Sequence, residues 1–382
     1  MKKSKKNVLG KLLTWVLILL LGMAAGYLGA SLAAEIGMAS DALPFLILGL
    51  LAGFFIQIIL HEGGHLVFGL ATGYGFVSFR VGSLMLIRRD GRFQWCRYRL
   101  SGTGGQCLLA PPPWREEGFP VFAYNLGGPL INFVSVLLCG ALVVLFRRSS
   151  PALACIWIGI GLAGLYLGLV NGIPLKISGM PNDGYNALHL GKDPVSRRAF
   201  WAQLAINAAQ MEGRRLRDIP EEWFVLPGDA GPDDPMKGAV WVYRYSRLVD
   251  QGRYEEASAL REQLLQENGK LAAVHQYALQ ADQGLFDLMD GRISQGLDIL
   301  GSAEIKAFCR QMKGNPGIVL VQYAAAWAAG KTREAHLLGA GRKKDLNAWP
   351  NPGDADATGE LLARVEDRLA GAAEKGIKRA GL

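Results

Sequence analysis

Of the five cysteines in this chain, Cys96, Cys107, Cys139, Cys155 and Cys309, no two stand in a C-x-x-C pair. Redox dithiols and zinc fingers need that spacing, so neither is expected. Cys139 and Cys155 fall in apolar runs, where cysteine behaves as a small hydrophobe. Cys96 and Cys107 lie in a loop assigned below to the cytoplasm, where thiols stay reduced, so no disulfide is expected. Basic residues interleaved with aromatics are also missing. The formal net charge of +8 therefore does not point to nucleic acid. Much of the clustered charge is Lys2, Lys3, Lys5, Lys6 and Lys11, just ahead of the first apolar run, where it acts as a topology signal. A metal transporter would need acidic or histidine pairs on several segments, and the first and third apolar segments show none.

Long apolar runs are confined to residues 1–190, and residues 191–382 read as charged, amphipathic helix. Residues 12–34 are long enough to span about 30 Å of hydrocarbon and exceed the usual core of a cleaved signal peptide, so an uncleaved helix is expected. The second segment runs from Leu43 to Leu70, the third from Val121 to Phe146 and the fourth from Ala152 to Ile173. Between the second and third, residues 77–87 and 92–100 are rich in β-branched and aromatic residues. They flank Arg89-Asp90-Gly91, which predicts a β-hairpin. Pro111, Pro112 and Pro113 end the strand region. The loop carries Arg80, Arg88, Arg89, Arg92, Arg97, Arg99 and Arg115 against Asp90, Glu116 and Glu117, an excess that fits the cytoplasmic side. Arg147 and Arg148 fall outside on this topology and run against the rule.

The second segment contains His61-Glu62-Gly63-Gly64-His65. On a helix, positions i and i+4 share a face, so His61 and His65 can ligate one zinc ion, with Glu62 placed to deprotonate a water. Ionisable groups at membrane depth are expensive and imply a function. His61 lies about 27 Å along the helix from Leu43, toward the cytoplasmic side. In the third segment, residues 125–132 read NLGGPLIN, and Asn132 is either a helix–helix hydrogen-bonding residue or a substrate contact. The fourth segment runs into Asn171-Gly172-Ile173-Pro174 and then GMPNDGYN at 179–186, a pattern that unwinds a helix. Backbone broken at membrane depth must line a cavity or be buried in protein. Asp183 stands beside that break, and a carboxylate is a standard third ligand for a two-histidine site. His189, six residues on, would point away if the chain there is helical.

Together these motifs resemble the site-2 protease family of intramembrane zinc metalloproteases over about residues 43–190. The resemblance implies zinc held by His61, His65 and Asp183, Glu62 as general base, and membrane-embedded or membrane-proximal protein substrates. Asn171 is a further substrate-contact candidate. The separation of Asn171 from Asp183 is longer than in many members of the family.

Beyond Asp193, GRYEEA at 252–257, GRISQG at 291–296 and GKTREA at 330–335 recur with a 39-residue step. The pattern resembles tetratricopeptide-like helical pairs, whose stacks bind peptides or proteins. Residues 226–234 read as a linker, and 350–358 as a flexible break before a last helix. The expected architecture is a polytopic α-helical membrane protein of about four transmembrane helices with a small β-hairpin insertion, plus a soluble all-α helical-repeat domain. Its parts are an N-terminal helix (1–34), a zinc metalloprotease core (35–190), a linker with connecting helices (191–234) and a cytoplasmic repeat domain (235–382). The expected activity is intramembrane zinc-dependent proteolysis in a bacterial cell membrane, both termini cytoplasmic, with a protein partner at the repeats. The alternative is a non-catalytic membrane adaptor that binds peptides or proteins through those repeats.

Overall fold

The structure is a computed structural model that describes residues 2–38, 41–89, 91–98, 103–115, 118–177, 180–266 and 270–379. Asp90, Arg99, Glu116, Glu117 and Gly179, used above, lie outside the described residues. Fourteen α-helices dominate it. The chain divides into two compact units, Met1–Gly82 with Thr103–Arg197, and Ser83–Gly102 with Arg198–Leu382. The expected division at residues 190/191 places the whole 73–120 loop in the first part; Ser83–Gly102 instead belongs to the second unit.

In the first unit, α1 (Lys2–Glu35), α2 (Leu43–Ala71), α3 (Phe122–Phe146) and α4 (Pro151–Gly172) are each long and apolar enough to cross a membrane. Their outer faces are apolar too, with Leu51 70 % and Leu137 75 % exposed, a surface suited to lipid rather than water. Small residues let the helices close on one another. A β-carbon at Gly64 would collide with the Gly127 carbonyl, so α2 and α3 meet backbone to backbone beside the histidines.

After α2 the chain forms β1 (Gly75–Val81), which pairs antiparallel with β4 (Gly105–Ala110), Phe79 opposite Cys107 and Val81 opposite Gly105. The buried Arg80 side chain clamps the open end of this pair. It donates to Gly82 O at 2.8 Å, to Gly105 O at 3.2 Å and to the Thr103 hydroxyl. Strand β4 is not foreseen by the sequence pattern. Nor is the split of 77–87 into β1 and β2 at Gly82, whose φ of +59° turns the chain. Past α4, β5 (Lys176–Ile177) and β6 (Met180–Pro181) form a minimal antiparallel pair that leads into the short helix α5 (Asp183–His189).

In the second unit, β2 (Leu84–Arg89) and β3 (Arg92–Arg97) form the expected hairpin, Arg89 opposite Arg92 and Leu86 opposite Trp95. Helix α6 (Pro194–Met211) leads in from the first unit. The rest is α7 (Pro235–Asp250), α8 (Tyr254–Gln266), α9 (Ala273–Met289), α10 (Ile293–Gly301), α11 (Ala303–Gln311), α12 (Pro316–Ala328), α13 (Thr332–Ala348) and α14 (Pro352–Arg379). Tyr245, Leu264 and Leu279 centre one apolar cluster; Leu285, Leu288, Val321 and Val365 centre another.

Three of the connections, 39 residues apart, share a cap geometry that also occurs at Gly37, Gly73 and Gly213. Gly252, Gly291 and Gly330 adopt φ of +74°, +79° and +72°. Each glycine N–H bonds three residues back, to Val249, Leu288 and Trp327. The next N–H reaches five back, to Leu248, Asp287 and Ala326, the pattern of a left-handed helix cap.

Two expected breaks are more ordered than anticipated. Within 226–234, Ala230 O accepts from Trp241 Nε1 at 3.0 Å and Asp234 caps α7 through the Met236 and Lys237 amides. The stretch 350–358 is not a flexible break. Helix α14 begins at Pro352, with the Asn351 side chain accepting from the Asp354 N–H at 3.0 Å.

Candidate metal centre

Helix α2 carries Gln57, His61 and His65 at steps of four, one stripe along one face. Asp183 is the first residue of α5, and Asn182 ahead of it caps the helix. The Asn182 Oδ1 accepts from Tyr185 N at 2.9 Å and Leu175 N at 3.0 Å. Its Nδ2 donates to Val170 O at 2.7 Å and Ile173 O at 2.6 Å. One buried amide thus ties the end of α4 to the start of α5 and aims Asp183 back at α2.

The three expected ligands converge. Asp183 Oδ2 lies 3.1 Å from His61 Nε2 and 3.4 Å from His65 Nε2, and the two Nε2 atoms are 3.2 Å apart. A tetrahedral ion with bonds of about 2.0–2.1 Å has ligand–ligand edges of about 3.3–3.4 Å, so the triangle fits one face of such a tetrahedron. Its fourth vertex is left for water or substrate.

The other imidazole nitrogens settle the tautomers. His61 Nδ1 is 2.8 Å from Asn132 Oδ1, and His65 Nδ1 is 2.7 Å from Tyr124 O. Both oxygens only accept, so each Nδ1 carries the proton and each Nε2 turns a lone pair to the centre. Two lone pairs and a carboxylate facing one another repel unless a cation or a proton stands among them, and this is the donor set of a divalent metal.

Glu62 points to the other side of the centre, toward β4. Its carboxylate accepts from the Cys107 backbone N–H, and Gly105 packs directly against it. On α3, a β-carbon at Gly128 would stand 2.6 Å from both His61 Cε1 and His65 Nε2, so only glycine fits under the rings.

The remaining candidates fall elsewhere. Asn132 is fully buried and spends its amide on His61 and Gln57. Asn171 turns its Nδ2 back to Leu167 O, 3.0 Å away on its own helix. His189 stacks on the Tyr185 ring at 3.8 Å, exposed and outside the ligand group. Sequence reasoning missed Gln57, Asn182, Gly105 and Cys107. Gln57 was within reach, since extending the His61/His65 stripe by one turn lands on it.

No protein-family model, curated protein or solved structure matches this chain.

Proposed function

We propose that the chain is an intramembrane zinc metalloprotease similar to the site-2 proteases, cutting membrane-embedded or membrane-proximal protein substrates. The observation that carries this reading is the triangle of His61 Nε2, His65 Nε2 and Asp183 Oδ2, with edges of 3.1–3.4 Å and both Nδ1 positions already spoken for. Zinc held there would polarise a peptide carbonyl and acidify a water. Glu62 would serve as the general base toward water and as the acid toward the departing amine. The amide of Cys107 holds the carboxylate in place meanwhile. A helical peptide bond is hydrogen-bonded and shielded, so the substrate must unwind before it is cut. An extended segment lying beside the Gly105 end of β4 would present its carbonyl next to Glu62. An apolar cavity of about 580 Å³, lined by Phe68, Leu126, Phe133 and Pro174, adjoins Gly127 and suits the apolar part of such a substrate.

The second unit is read as a helical-repeat domain. Support comes from the 39-residue spacing of three glycine turns, each joining a helix pair (α7/α8, α9/α10, α12/α13). A stack of this kind offers a peptide or protein partner a concave surface. On the charge topology both termini are cytoplasmic, in a bacterial cell membrane.

The test is metal analysis of detergent-purified protein beside cleavage of a membrane-embedded reporter. The wild type should carry about one zinc per chain, lost in His65→Ala and Asp183→Ala. Glu62→Gln should keep the zinc and lose cleavage. A wild type without zinc, or an active Glu62→Gln, overturns the reading, and the first result, in a folded protein, moves it to the adaptor.

A further inference from the structure

Gln57, fully buried one turn before His61, contacts neither Asp183 nor His65, yet it stands at the head of a directed hydrogen-bond chain that ends on His61. We propose that Gln57 is a positioning residue that sets, through Asn132, which nitrogen of His61 is free to take the metal. The inference rests on the metal centre proposed above.

An asparagine amide can be turned end for end, and only its neighbours decide which way it faces. Asn132 Nδ2 lies 3.0 Å from Gln57 O and 2.9 Å from Gln57 Oε1. Both are acceptors, so the NH2 end belongs there and Oδ1 faces His61. The Gln57 amide could in principle reverse as well. Its Nε2 is 2.7 Å from Ser135 Oγ and 3.3 Å from Ile160 O. A hydroxyl suits either orientation, but a main-chain carbonyl only accepts, so Ile160 holds the NH2 end of Gln57 toward α4. Direction therefore runs from α4 through Gln57 on α2 and Asn132 on α3 to His61 Nδ1.

The consequence is chemical. With Asn132 as drawn, His61 donates from Nδ1 and offers the Nε2 lone pair to the centre. With Asn132 reversed, its NH2 would donate to Nδ1, and the ring proton would move to Nε2, where the metal must bind. Gln57 and Asn132 are both completely buried, so no water is available to replace a missing partner. Gly164 on α4 leaves room for this arrangement, since a β-carbon there would stand 2.6 Å from Gln57 Nε2.

Zinc affinity of the purified full-length chain, measured by competition with a chromophoric chelator, tests this with variants that separate hydrogen bonding from bulk. Gln57→Met fills the space but leaves Asn132 Nδ2 only the main-chain carbonyl of residue 57, and should weaken zinc binding by several-fold, beyond any change in Gln57→Glu. Gln57→Glu keeps an acceptor for Asn132 in either protonation state and should stay within a few-fold of wild type. A residue that merely fills space predicts the opposite order, with Met tolerated and Glu damaging, and that order overturns the inference. Gly164→Ala leaves every hydrogen-bonding side chain in place but displaces the Gln57 amide, so it should also weaken zinc; if Gln57→Met does not fold, this variant decides. Zinc in the wild type with affinity unchanged in all variants overturns the role of Gln57 alone. Absence of zinc from the wild type overturns the metal centre and this inference with it.

Discussion

Gly105 on β4 lies so close to Glu62 on α2 that a β-carbon on it would stand 2.7 Å from both Cγ and Oε1 of the carboxylate. The strand and the proposed general base are therefore fitted to each other, and the Arg80 clamp at the open end of β1 and β4 keeps Gly105 where it is. Gly105→Ala must push the carboxylate aside without touching any metal ligand. We expect reporter cleavage to fall about 100-fold, the scale of a misplacement near 1 Å, while zinc content stays at the wild-type level. Parallel zinc analysis and cleavage kinetics check this, and loss of zinc would show that the strand supports the ligands instead.

What was legible in the sequence and what was not divide along physical lines. His61, Glu62 and His65 were readable because helical periodicity alone brings them together. Asp183 was readable because a polar break in an apolar run demands a purpose. Strand β4 was not, since GQCLLA has no β-branched residue and its pairing with β1 spans a long loop. The acidic stretch after Pro350 read as a break because of its prolines and glycine. Yet proline at the first turn and an acid near a helix start are compatible with α14, given Asn351 as cap. The hydrogen bonds of Asn132 and Gln57 join residues far apart in sequence, which no local pattern could reveal.

Asn182 is a single side chain whose four hydrogen bonds hold the Asp183 segment. Asn182→Ala removes them and leaves buried carbonyls and amides without partners. A loss of about 1–3 kcal/mol is expected, since a cap alone contributes about 1 kcal/mol. Because α5 loosens first, zinc should leave Asn182→Ala at a lower chelator concentration than wild type. Chelator titration beside thermal unfolding separates the two effects, and equal chelator resistance would mean Asp183 is held by other contacts.

The three left-handed glycines offer a cleaner energetic comparison. Nothing lies within 4 Å of a β-carbon built at Gly291 or Gly330, so the cost of adding one there is backbone conformation alone. Alanine at either position should destabilise by about 1–2 kcal/mol, and asparagine, which tolerates this region better, by less. Similar losses in Gly291→Ala and Gly330→Ala, measured by denaturant unfolding, are the expected outcome. Markedly unequal losses would mean that the two turns are not equivalent units.

Asp282 on α9 supplies a pH signature that belongs to the second unit. Burial pushes its carboxyl from 3.8 up to about 6, although Tyr245 and Arg261 partly offset the rise. A raised pKa in the folded chain means that folding favours the protonated form. The stabilisation is fully present below about pH 4 and is lost as pH climbs through 6. A rise of that size corresponds to at most about 3 kcal/mol. Asp282→Asn mimics the protonated form and should flatten this part of the profile. Relative to wild type, the variant should gain stability at about pH 7 and show little difference at about pH 4. Thermal unfolding of both proteins across that range is the check. A wild type whose stability does not fall relative to Asp282→Asn over that rise in pH would mean that Asp282 is ionised in the folded protein, paired closely enough with Arg261 to offset its burial.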